Sequence, residues 1–98
     1  MQFVVTVSWR ENLRQLILAL ADLEGKQVGE KEAKEFELAR YYLEGFYKKH
    51  LPFALDTILD KSEGQVLKSY VWRVETANQT AGLWGVEKAL AALTGPLP

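Results

Sequence analysis

Few residues in this chain could carry acid–base, metal or phosphate chemistry, and each of them has a plainer structural role open to it. His50 is the one histidine. No orienting partner stands at a useful spacing from it, so it builds neither a nucleophile–base pair nor a multi-histidine metal site. At the end of a helix, a histidine serves the last carbonyls instead. Asp56 and Asp60 are spaced i,i+4, as two oxygen ligands of a hard cation would be on one helix face. Nothing else in the sequence supplies the further oxygens such an ion takes, so two acids on the polar side of a short helix is the simpler account. The glycine groupings GKQVG, EGQ and GLWG lack the spacing of a phosphate-binding loop. Gly82 to Gly85 would open a last helix, where backbone N–H groups can meet an anion, but a tight helix start explains them equally. No catalytic residue, metal ligand or cofactor is expected, and the chain is read as not an enzyme.

Recognition chemistry has more to work with. Arg40, Lys48 and Lys49 interleave with Tyr41, Tyr42, Phe46 and Tyr47, as a surface for single-stranded nucleic acid might. Most of those aromatics fall on a core-facing arc, and four glutamates precede the bases, so nucleic acid is the alternative partner rather than the first. The chain has three tryptophans. On the helical reading Trp72 points away from its own apolar arc and Trp84 stands at the edge of its stripe. Tryptophan and tyrosine outside a core are interface anchors, although a small domain can also bury them under loops. With Leu38, Tyr41 and Gly45, they form the candidate interface set.

Composition narrows the class further. With 98 residues, 48% hydrophobic, 26% charged and a net charge of −1, the chain suits one compact domain, residues 1–98, and not a disordered one. Near-neutral charge removes a general pull towards nucleic acid. The lack of cysteine excludes disulfides and thiol-based zinc sites and fits an intracellular, cytoplasmic protein. No apolar run nears the roughly 20 residues of a membrane span, and no signal-peptide pattern opens the sequence, so a soluble chain without membrane partners is expected.

The elements that would position these residues follow from periodicity. Gln2 to Val7 alternates and is β-branched, which predicts a strand in need of a partner. Ser8 and Glu11 form a capping box for a helix to about Glu24, with Trp9, Leu13, Leu16, Ile17, Leu20 and Leu23 on one stripe and Gly25 as terminator. Glu30 to His50 is the longest periodic stretch, acids first and lysines last, with Glu30/Lys34 and Glu44/Lys48 at i,i+4. Its apolar arc is Phe36, Ala39, Tyr42, Leu43, Phe46, Tyr47 and His50, while Leu38, Tyr41 and Gly45 share the opposite side.

Leu51-Pro52 ends that helix, and Phe53 to Lys61 reads as a short one with Leu51, Leu55, Ile58 and Leu59 on its apolar side. Gln65 to Thr76 is ambiguous between a helix, favoured by the arc and a Ser62/Gln65 capping box, and a strand that would partner residues 2–7. Thr80 is the expected N-cap of a last helix, Ala81 to Leu93, stopped by Thr94-Gly95-Pro96. The expected fold is mainly α, a compact bundle of four to five helices with an N-terminal extended segment. The alternative is α+β, with a two-stranded sheet pairing residues 2–7 with 66–75. By elimination and by the two-sided helix, the expected function is a small protein–protein interaction module: a subunit, adaptor or regulator that binds a protein partner or itself as a homodimer. A nucleic-acid accessory protein is the rival.

Overall fold

Residues 30–50 form an uninterrupted helix, as their charge gradient and periodicity predict, and the other elements are arranged around it. The structure is a computed structural model that describes residues 3–23, 28–50 and 55–93. The order of elements is β1 (Phe3–Val5), α1 (Val7–Ala21), α2 (Glu30–His50), β2 (Thr57–Leu59), α3 (Lys61–Ala81) and α4 (Trp84–Leu93). The fold is mainly α, with four helices and one small antiparallel sheet among the described residues.

α2 and α3 run antiparallel. Contacts between them descend on one helix as they ascend on the other: Glu35 to Arg73 at 3.5 Å, the Tyr42 ring on Tyr70 at 4.3 Å, and Lys49 to Glu63 at 3.8 Å. α1 packs against both α2 and α4. The core between the layers is a single cluster that includes Trp9, Leu13, Leu16, Leu43, Leu67, Val74 and Val86. The apolar stripes expected for α1, α2, α3 and α4 supply it, with Ile17, Leu23, Tyr42, Tyr70 and Leu83 packed at its edge. A radius of gyration of 13.1 Å matches a folded chain of this length.

Three expected helix starts are shifted. α1 is capped by Thr6, whose side chain accepts from the Trp9 N–H at 3.0 Å, and not by Ser8. Glu11 pairs with Arg14 at 3.3 Å instead of closing a box. α3 is capped by Asp60, which accepts from the Glu63 N–H at 2.8 Å, so Ser62 and Gln65 lie inside the helix. Thr80 caps nothing. α3 continues through it to Ala81 and ends at Gly82, whose φ of 63° is the left-handed conformation glycine permits. The Asn78 side chain then accepts from the Leu83 N–H at 3.0 Å and carries the chain into α4.

One larger correction concerns residues 53–61. The expected helix over 53–61 does not form in its described part, where Thr57–Leu59 are a strand instead: β1 pairs with β2 in the register Phe3↔Leu59, Val4↔Ile58, Val5↔Thr57. Neighbouring residues Ile58 and Leu59 are 60% and 2% exposed, the period-2 signature of a pleated strand. Residues 66–75 are helical, as the favoured reading of that stretch expects; a sheet exists, but its second strand is not the one the α+β alternative named. The strand at the start is also shorter than expected, since Val7 already belongs to α1. Gly25, Leu51-Pro52, Phe53 and Thr94-Gly95-Pro96, each given a role above, lie outside the described residues.

Candidate interaction surface

The side of α2 that faces away from the core carries Leu38, Tyr41 and Gly45. At 100° per residue these fall opposite Leu43, which is fully buried. Leu38 is 53% exposed and Tyr41 63%, and Gly45 is exposed between them and the helix end. A Cβ placed on Gly45 would meet no atom within 4 Å. Glycine costs about 1 kcal/mol relative to alanine in a helix interior, and none of the described residues uses the space it leaves. The residue is thus a notch on an otherwise continuous helix face.

Tyr41 does not hang loose above that notch. The Arg40 guanidinium lies 5.1 Å from the Tyr41 ring centroid and is itself bonded to Glu44 at 3.2 Å, which orients the ring. Glu44 also pairs with Lys48 at 3.3 Å, and Lys49 pairs with Glu63 of α3 at 3.8 Å. Arg40, Lys48 and Lys49 are therefore each matched with a carboxylate. Binding a phosphate backbone would require them to leave these partners, which weighs against the nucleic-acid alternative.

Trp72 and Trp84 do not join this face. Tyr70 stacks on α2, and Trp72 lies 200° further round α3, on the side away from α2. It shares that side with Glu75 and Gln79, while Trp84 shares a side of α4 with Glu87 and Ala91. Those four residues, with Asn78 and Leu90, line a shallow cleft of about 210 Å³ between α3 and α4. The two tryptophans are 63% and 76% exposed, so the core does not absorb them, whereas Trp9 is buried. Leu55, Ile58 and Leu18 are further exposed apolar residues, although helical periodicity places Leu55 and Ile58 on the apolar side of a short helix. Pairing with β1 turns Ile58 outward.

The residues considered for chemistry are dispersed into structural tasks. Asp56 accepts from the Val7 N–H at 3.2 Å, at the start of α1, and Asp60 caps α3. Both carboxylates sit at helix N-termini, where the dipole favours negative charge, and a strand separates them. No group of acidic or histidine side chains able to hold a metal ion occurs among the described residues.

His50 is only 8% exposed and belongs to the buried side of α2, its ring 4.5 Å from that of Phe46. Its backbone carbonyl accepts from Arg10 of α1 at 3.5 Å. Burial holds its pKa below the ordinary 6.5, with Lys49 and Arg10 pushing the same way and Glu63 opposing. Burial also raises the pKa of Tyr42, assisted by Glu63 and Tyr70. Gly82 to Gly85 form the α3–α4 turn and the first residues of α4, and Gly82 is there for its conformation.

No described helix is long and apolar enough to cross a membrane. No protein-family model matches the sequence, and comparison with curated proteins and with solved structures finds no similar chain.

Proposed function

We propose that this chain is a small helical protein–protein interaction module, a subunit, adaptor or regulator, whose contact surface is the outer face of α2. The observation that carries the reading is the conjunction of two exposed large side chains with an unfilled glycine notch on one helix face: Leu38, Tyr41 and Gly45. Packing among the described residues accounts for none of the three. A helix or loop of another chain laid across the notch would remove Leu38 and Tyr41 from water, and close backbone approach would offset the helix-forming ability that Gly45 gives up. Arg40 holds the Tyr41 ring in advance, which lowers the ordering cost of docking.

A second copy of the chain is the occupant to test first. Molar mass by light scattering over a range of concentrations should show association for the wild type and its loss in the double variant Leu38→Ala, Tyr41→Ala. The circular dichroism of the variant should be unchanged, because both side chains lie outside the core. A wild type that stays monomeric, with no response to the double substitution, would remove this reading.

A further inference from the structure

We infer that the cleft between α3 and α4 is a contact site separate from the α2 face, one that seats an arginine side chain from an extended segment of a partner protein. The sequence marks this cleft twice. Residues 72–77 and 84–89 repeat the pattern W-x-V-E-x-A at an interval of twelve residues. In both copies the valine and the alanine are buried and the tryptophan is exposed. Core packing explains the repeated Val74, Val86, Ala77 and Ala89, but not the repeated tryptophan and glutamate. Counted from each tryptophan, the same three positions line the cleft: Glu75, Asn78 and Gln79 on α3, and Glu87, Leu90 and Ala91 on α4.

Charge and hydrogen-bonding capacity say what fits there. None of the lining residues is basic. Neither Glu75 nor Glu87 has an ion-pair partner among the described residues, whereas Glu11, Glu30, Glu35, Glu44 and Glu63 each do. Of the bases nearby, Arg73 is held by Glu35 of α2, and Lys88 is turned about 100° round α4 from Glu87. Asn78 adds a donor. It is 3% exposed and its Oδ1 accepts from the Leu83 N–H, but its Nδ2 has no acceptor among the described residues and opens into the cleft. An amide N–H in so buried a residue calls for an acceptor.

Two carboxylates beside one amide donor suit a cation with a carbonyl a few bonds away, which is a basic residue within a peptide. A polyamine brings the cation without the acceptor. Arginine suits the site better than lysine, because its planar guanidinium can bond both carboxylates and stack on an indole ring. Trp72 and Trp84 each stand about one turn before the glutamate of their helix, and the chain doubles back at Gly82, so the two indoles flank opposite ends of the cleft. Neither makes a ring or cation contact among the described residues.

The probe is the capped peptide acetyl-Gly-Gly-Arg-Gly-Gly-amide, compared with the same peptide carrying lysine or glutamate at its centre and with spermidine. Titration at about 50 mM salt, read by tryptophan fluorescence and backbone amide shifts, should show saturable binding of the arginine peptide with shifts centred on residues 72–79 and 84–91. The lysine peptide should bind more weakly and the glutamate peptide not at all. Glu75→Gln with Glu87→Gln should weaken binding by about tenfold or more with circular dichroism unchanged, since neither side chain is buried. Leu38→Ala with Tyr41→Ala should leave peptide binding as it is, so failure of this site and failure of the α2 surface are read apart. Spermidine binding more tightly than the arginine peptide, binding indifferent to the two glutamine substitutions, or no binding up to about 10 mM peptide would each overturn the inference.

Discussion

His50 shows how a residue that invites a chemical reading can be occupied with structure. It lies where the end of α2 meets the start of α1 and the start of α3, and the charged groups around it are Arg10 from α1, Lys49 from α2 and Glu63 from α3. Two of those three are cations, so a proton on the imidazole adds positive charge to a buried, already positive corner. In the unfolded chain His50 titrates at about its ordinary 6.5, and folding lowers that value. The unfolded state therefore binds more protons between the two values, and stability must fall as the pH drops through that interval. Above the ordinary value the group is neutral in both states and contributes no pH dependence. Urea unfolding at about pH 7.5 and about pH 5 should show the loss in the wild type and a smaller one in His50→Gln; equal slopes would mean that another group carries it. The buried arc of α2 already includes His50 in the sequence. Its neighbours Arg10 and Glu63 do not appear there, because spacing within one helix says nothing about which distant helix end arrives beside it.

At the level of elements, long periodic stretches were legible and short ones were not. α2 has the same bounds in the structure as in the sequence reading, since six turns of consistent arc and i,i+4 charge pairs all agree. α3 was separable from a strand by the width of its arc and a Ser62/Gln65 box, yet its true start and end came from Asp60 and Gly82 rather than from the Ser62 and Thr80 signals nearby. Capping is decided by which side-chain oxygen reaches an open N–H, and several candidates within a few residues look alike in sequence. β2 was missed because Leu55, Ile58 and Leu59 fit a helical stripe, and a run of three strand residues is too short for period 2 to declare itself. The need of β1 for a partner pointed towards a second strand but not towards this one. Substitutions should separate the two geometries. Leu59→Ala removes a fully packed side chain and should cost about 2–5 kcal/mol. Ile58→Ala, on the outer face, should change stability by only about 0.5 kcal/mol. Similar costs at the two positions, read by denaturant titration, would contradict the strand.

For the whole molecule, one core cluster joins α1, α2, α3, α4 and β2, so the chain should unfold as a unit. Leu13 is fully buried on α1, the helix that touches both α2 and α4. Leu13→Ala should lower stability by about 2–5 kcal/mol and shift the transitions seen by tryptophan fluorescence and by circular dichroism together. Divergence of the two probes would mean that one layer melts before the other. The outward face of α2 could be placed from sequence because exposure follows from helix period alone. That Trp72 and Trp84 stand on a different side could not, because it depends on how α3 and α4 are set against α2. The pairing of β1 with β2 also has a consequence for the order of events on the ribosome. Phe3 is made first and its counterpart Leu59 emerges 56 residues later, a delay of about 3–11 s at ordinary rates of synthesis. During that interval α1 and α2 can already meet, while Val5 has no strand beside it and its inward face lacks Leu59. A nascent chain halted after α2 would thus display an unpaired apolar strand to chaperones, and release of that hold should coincide with the appearance of residues 57–59.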